Sequence, residues 1–210
     1  MPPRDRGTAR RQSIVEAAAK LFQQRGFQGT SMDDVAAAAA LNKSSLYHYF
    51  PSKAELLAQI YSECIDTMQT LYQAQDPALE PVERVRRIIL NMVQALERRP
   101  HHMRVYVQEM QWLEKWLPSH QAAHLRKRET ELWDFLATSI SAGINTRTFV
   151  QVDPFLTGMA LMGMVAWMPH WHPGGSRKTG PEVAEEYAAL VLNGLLQRQP
   201  VGDGDSATAS

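Results

Sequence analysis

The chain has 210 residues, 44% of them apolar and 21% charged, a formal net charge of zero and one cysteine, Cys64. That size suits one elaborate helical domain or an ordinary domain with a small companion, and the composition is that of a folded protein rather than a disordered or fibrous one. A lone cysteine excludes an intrachain disulfide, and the longest apolar run, Phe155 to Met168, is about fourteen residues, short of the roughly 17–25 that a membrane-spanning helix needs. With no apolar leader in MPPRDRGTARRQ, a cytoplasmic protein without membrane contact is expected. The charge is unevenly placed. Residues 1–53 hold eight Lys/Arg against four Asp/Glu, and residues 54–210 hold fourteen against eighteen, so a basic N-terminal unit precedes an acidic body. One end is suited to a polyanion and the other is not.

Ile14, Ala18, Leu21 and Phe22 recur at helical spacing and Arg25-Gly26 ends the pattern, predicting a first amphipathic helix over residues 9–25. Thr30 and Ser31 are each followed three residues on by an aspartate, Asp33 and Asp34, which is how a helix start satisfies its free amides; a second helix continues through Val35 and the alanines. Asn42 is a new N-cap, and Pro51 disfavours helix at Phe50, leaving residues 43–49 for a third helix. Ser52-Lys53-Ala54-Glu55 is a capping box that opens a fourth, to about Ala74. Asp76-Pro77 and Glu80-Pro81 precede a fifth, which Pro100 ends, and another helix fills the interval to Pro118. A long helix then runs to about Gly143, and Asp153-Pro154 and Gly180-Pro181 open the last two. No alternating strand pattern occurs, so the expected fold is all-α, with a disordered tail from Gln199, QPVGDGDSATAS.

The third helix raises the functional question. Seven residues do not make a stable helix in water, so helices one and two are expected to hold it through Leu41, Leu46 and Phe50. At about 100° per residue Leu46 and Phe50 share one face, and Tyr47 and His48 turn away from it. A short helix joined by a tight turn to another, in a basic unit, is the helix-turn-helix arrangement, whose second helix enters the major groove of DNA. A plain helical hairpin with exposed aromatics explains the periodicity nearly as well. The full string distinguishes them. TSMDDVAAAAALNKSSLYHYFPSKAELL resembles the DNA-binding domain of the TetR family of bacterial repressors, in which a T-x-x-D-I-A-type helix and a short turn lead to L-Y-x-x-F-x-x-K-x-x-L; the match covers residues 9–57.

The resemblance implies an N-terminal three-helix helix-turn-helix DNA-binding domain, residues 1–53, followed by a helical ligand-binding and dimerisation domain, residues 54–198, and the tail, residues 199–210. It implies that Lys43, Ser44 and Ser45 read base edges, that Tyr47 and His48 contact the DNA backbone with Tyr49 as a further contact, and that Thr30, Ser31 and Lys53 meet phosphates. Arg4, Arg6, Arg10 and Arg11 would reach the flanking minor groove or backbone. A homodimer on a palindromic double-stranded operator is implied as well, its interface formed by residues 152–172 and 181–197, where Tyr187, Leu190, Val191, Leu195 and Leu196 give an apolar stripe. Ala40 is a departure: the family usually has Gly in that turn, and alanine tolerates a positive φ poorly.

Most of the ten Met and five Trp fall in the body. Such residues are usually plain core, and they also build pliable apolar cavities. RPHHMRVYVQEMQWLEKW, ETELWDFLATSISAGI, and AWMPHWHPGG with the following TGPEVAEEYAALVLNGL resemble the C-terminal domain of TetR-type regulators of fatty-acid and sterol breakdown, which bind acyl-CoA thioesters. The implied effector is a hydrophobic small molecule of that kind, in a pocket of Tyr106, Glu109, Met110, Trp133, Met159, Met164, Trp167 and Met168, with Arg104, Arg126, Arg128 and Arg177 available to phosphates. Arg147 departs from these relatives, which tend to have Gly after the long helix. An efflux regulator sensing drug-like or aromatic compounds is the alternative within the class. A ligand-free helical DNA-architectural or protein-interaction module is the alternative outside it. His120 and His124 lie four apart and His101-His102 are adjacent, but no Cys partner or HExxH accompanies them, so no metal is assigned. No nucleophile, base and oxyanion set is visible, so no enzyme activity is assigned and no cofactor beyond the effector is expected.

Overall fold

The computed structural model describes residues 4–172 and 177–196, with side chains from Gly7 onward; the predicted tail and the side chains of Arg4 and Arg6 lie outside the described residues. The described chain folds as helices α1 (Arg4–Arg25), α2 (Met32–Ala38), α3 (Lys43–Tyr49), α4 (Lys53–Gln73), α5 (Pro81–Arg98), α6 (Pro100–Glu109), α7 (Leu113–Trp116), α8 (Ser119–Asn145), α9 (Pro154–Trp171) and α10 (Gly180–Leu195). One isolated antiparallel bridge, Phe149 with Leu196, is the only strand-like pairing among the described residues. The all-α expectation therefore holds.

Local chemistry sets the short helices. Ser31 caps α2 in a reciprocal box with Asp34, the Asn42 carboxamide accepts the Ser45 amide at 2.8 Å, and Ser52 accepts the Glu55 amide at 3.2 Å. Ile14, Val15, Ala18, Phe22, Val35, Leu46 and Phe50 are fully buried together, which is the tertiary support that α2 and α3 lack on their own. Further along, α4 packs on α1, α5, α6 and α8, linking the N-terminal unit to the rest, while α8 lies against α9 and α10 against α5.

Three expectations are corrected. Helix α1 starts at Arg4 rather than at residue 9, because the apolar recurrence that marks a helix begins only at Ile14 and its polar first turns carry no such pattern. The interval from Pro100 to Pro118 is not one helix: α6 ends at Glu109, a 3₁₀ turn covers Met110–Trp112, and α7 follows. The Arg126 guanidinium takes the Met110 carbonyl at 2.5 Å, supplying a donor to a backbone oxygen at the break. Finally, Leu195 of the predicted dimer stripe is buried within its own subunit, where its carbonyl accepts the Val150 amide at 2.8 Å.

Both departures from glycine fall on left-handed residues. Ala40 (φ 50°) and Arg147 (φ 59°) each follow a helix end at which the next amide bonds back to the third-last helical carbonyl, Leu41 to Ala36 and Thr148 to Gly143, both at 2.9 Å. That is the Schellman closure, in which glycine is the least strained occupant of the left-handed position. After Arg147 the chain folds Phe149 so tightly onto α8 that a Cβ on Gly143 would lie 2.1 Å from the phenyl ring.

Candidate nucleic-acid interface and effector cleft

On α3 the predicted division between packing and outward faces is present. Leu46 is buried, Tyr47 is 41% exposed, Lys43, Ser44 and His48 are exposed, and Ser45 and Tyr49 are half-buried. Lys43 is paired with Asp33 of α2 at 2.9 Å, both side chains in solvent. The Asp33 hydrogen bond and charge raise the Lys43 pKa, and a pair this exposed gives way readily to a stronger anion. Ser31 is exposed at the N-terminus of α2.

Other predicted DNA contacts are occupied inside the protein. Thr30 is buried and its hydroxyl donates to the Gly26 carbonyl at 3.0 Å, so it offers nothing at the surface. The Lys53 ammonium donates to the carbonyls of Phe27 (2.6 Å) and Thr30 (2.7 Å) and sits 4.4 Å from the Phe27 ring centre; burial lowers its pKa, against the opposing charge of Glu109. Arg10 donates to the Ala40 carbonyl at 3.0 Å. Arg11 donates to the Tyr49 carbonyl at 2.9 Å and stacks 4.0 Å from the centre of Phe50. Arg11 is exposed and Arg10 and Lys53 are half-buried, and sequence reasoning gave them to DNA alone because a formal charge does not reveal which carbonyls the fold leaves without a donor.

In the body the eight predicted pocket residues do not line one cavity: three are buried, four half-buried and one exposed. Tyr106 is buried, its hydroxyl bonded to the buried Glu129 carboxylate, and burial followed by the Glu129 charge pushes its phenol pKa well up. The Tyr61 hydroxyl donates to the Tyr106 carbonyl at 2.7 Å. Glu109 is buried and accepts from the Phe27 amide (3.0 Å) and the Trp116 indole (2.9 Å). Met110, Trp133, Met159 and Met164 are half-buried, and Met168 is buried. Trp167, by contrast, is 62% exposed on α9.

The arginines assigned to phosphates are likewise engaged. Arg126 binds Glu114 (2.6 Å) and Glu129 (2.7 Å) and is raised in pKa by them, with Glu114 dominant. Arg128 binds Ser62, Asp66 and Gln69. Arg104 donates to the Pro169 carbonyl at 2.9 Å, and Arg177 is exposed before α10. Of these, Arg104 borders open space: a cavity of about 280 Å³ lies between α6 and α9, lined by Gln23, Met103, Arg104, Val107, Pro169 and His170 among others. A recess of about 130 Å³ shares Arg104 and Pro169 and adds Met168 and His172.

Within the expected interface segment 152–172, sequence reasoning did not name which residues of α9 face outward. Leu156, Ala160, Gly163, Trp167 and Trp171 are all exposed at helical spacing, and Leu190 of α10 is 66% exposed, with Tyr187 and Val191 half-buried. An apolar stripe of this kind on a folded surface marks a contact with another protein. It was hidden because α9 is apolar on every face, so spacing alone does not show which side is outward.

A helix-turn-helix with an outward α3, carried on a helical body with an apolar outer stripe, defines a DNA-binding transcription regulator. Residues 14–60 match the family described as "Bacterial regulatory proteins, tetR family", and residues 78–195 match "Tetracyclin repressor-like, C-terminal domain". The chain belongs to the TetR family. HTH-type transcriptional repressor KstR2 of Mycolicibacterium smegmatis is 27% identical over 195 residues, spanning 91% of this chain and 93% of that protein. The structure of the ketosteroid transcriptional regulator KstR2 of Mycobacterium tuberculosis superposes with a TM-score of 0.82 at 25% identity, over 90% of this chain and 96% of that one. AibR, solved with isovaleryl coenzyme A and operator DNA, gives a TM-score of 0.76 at 27% identity, over 86% and 97%. The chain is thus a transcriptional repressor of a family that binds operator DNA as dimers. No described helix is long and apolar enough to cross a membrane.

Proposed function

We propose that this repressor is released from its operator by an acyl-CoA thioester. In this reading residues 1–53 are the DNA-binding head and residues 54–198 the effector-binding and dimerisation body. Ser31, Lys43, Ser44, Ser45, Tyr47 and His48 meet DNA: Lys43, Ser44 and Ser45 read bases, and Ser31, Tyr47 and His48 hold the phosphate backbone. Two heads joined through α9 and α10 engage successive major grooves, about 34–36 Å apart.

The observation that carries the effector class is the cleft between α6 and α9. Met103, Val107 and Pro169 supply an apolar floor, and Arg104 and His170 stand at its polar side. A cavity of about 280 Å³ is at the small end of ligand sites, which run to roughly 300–1,000 Å³, so it takes an acyl group while the nucleotide lies outside it. The likeness to AibR, solved with isovaleryl coenzyme A, supports the same class. The effector acts only to the extent that it favours the non-DNA arrangement of the two heads, with a coupling of about 1–3 kcal/mol.

The test is a thermal-shift panel of short- and long-chain acyl-CoAs, free CoA, free fatty acids and cationic dyes, followed by gel shift on the DNA upstream of the protein's own gene. An acyl-CoA that raises Tm and releases that DNA is the expected result. Stabilisation by dyes alone would redirect the reading to an efflux-type regulator.

A further inference from the structure

We infer that Glu109 is a positioning residue through which the body sets the loop between α1 and α2, and hence the recognition unit. The inference rests on the regulator reading above and adds the route by which the body reaches the head. Glu109 is the last residue of α6, and its two carboxylate oxygens face different domains. One accepts the amide of Phe27, in the loop after α1, at 3.0 Å, and the other accepts the Trp116 indole of α7 at 2.9 Å. The Phe27 ring packs on Trp116, centroids 5.5 Å apart. On its other side the loop is held by Lys53, whose ammonium binds the carbonyls of Phe27 and Thr30. Ser31, the cap of α2, comes next in the chain. The loop is therefore gripped by an anion from α6 and a cation from α4, and both grips meet at Phe27.

The body side of this grip is itself held by a polar chain that runs from half-buried Arg126 to buried Glu129 and Tyr106. Arg126 binds the carbonyl of Met110, the residue after Glu109, and also Glu129, which receives the Tyr106 hydroxyl. Any rearrangement of α6 against α8 thus moves the backbone on which Glu109 stands. Charge-assisted hydrogen bonds to a buried carboxylate are the strong kind, and they are direction-dependent. A small shift of α6 therefore breaks the Phe27 contact rather than stretching it smoothly.

Hydrogen exchange on the full-length protein, without DNA or effector, tests this directly. Glu109→Ala removes both acceptors and is expected to speed exchange across residues 26–31 by about tenfold or more, leaving residues 132–143 of α8 unchanged. Glu109→Gln keeps an oxygen for the Phe27 amide but turns an NH₂ toward the indole, so it and Trp116→Phe should each give an intermediate rise. Because those two break the same bond, the Glu109→Gln/Trp116→Phe double variant should be no faster than the faster single one, a non-additivity that general loosening does not produce. The same variants, still dimeric by mass, should bind the upstream DNA more weakly in the same order. Wild-type exchange at residues 26–31 in Glu109→Ala, or equal acceleration in α8, would overturn the inference. Failure of the wild-type protein to bind the upstream DNA would instead remove the regulator reading, and the exchange result would still judge the link between α6 and the loop.

Discussion

In the head, Tyr47 is the one large apolar side chain left in solvent among the described residues, and it stands on the outward face of α3. In the body, Phe155, Leu156, Trp167, Trp171, Leu190 and Leu196 are exposed on or at the end of α9 and α10, and Trp112 of the 3₁₀ turn is the other large apolar side chain in solvent among the described residues. The head thus satisfies its own core, and its cations Arg10, Arg11 and Lys53 serve its own carbonyls. The body leaves an apolar stripe on its outer side uncovered. This difference teaches how each region is completed: the head by its own three helices together with the tie of Phe27 to Glu109 of α6, and the body by whatever covers its outer apolar surface.

The contrast breaks most visibly if the pair is prevented. Replacing Leu190 with Arg and Trp167 with Glu should yield a folded species of half the mass by light scattering. Operator affinity should fall by about 10²–10⁴-fold, because the second head loses its high effective concentration. A dimer of unchanged mass would show that the stripe is not the interface. A smaller effect is expected in the head. Tyr47→Ala should weaken binding by roughly fivefold to tenfold on all operator variants alike, whereas Lys43→Ala should change which variant is preferred, as measured by competition gel shift. Uniform loss for both would erase the division between backbone and base contacts. The smallest effect sharpens the comparison by acting on fold alone. Ala40→Gly in the head and Arg147→Gly in the body each relieve a left-handed residue and should each stabilise by about 0.5–1 kcal/mol, a rise in Tm of about 1–4 °C. Their effects should add, since the two turns belong to different domains.

Much of this organisation is legible from residues. Ser31, Asn42 and Ser52 announce their helices because capping is local chemistry, decided within three or four positions. Leu46 against Tyr47 is equally readable, being a matter of 100° steps. What escapes is long-range satisfaction. Arg10 and Ala40 are thirty positions apart and Phe27 and Glu109 eighty-two, and nothing near either residue announces the other. The body's arginines mislead for the same reason: Arg126 and Arg128 look available for phosphates until the more distant Glu114 and Asp66 are placed beside them. On α9 the obstacle is saturation, since a helix of nearly uniform hydropathy carries no phase from which to choose Trp167 as outward and Met168 as inward.

The clamp of Arg10 on the Ala40 carbonyl has a mechanical meaning. It ties the bend between the second and third helices to the first, while Arg11 fastens the far end of the third helix to the same rod. Pinned at both extremities, the third helix has no private joint, so a tilt of the rod would carry it along whole, like the blade of an oar.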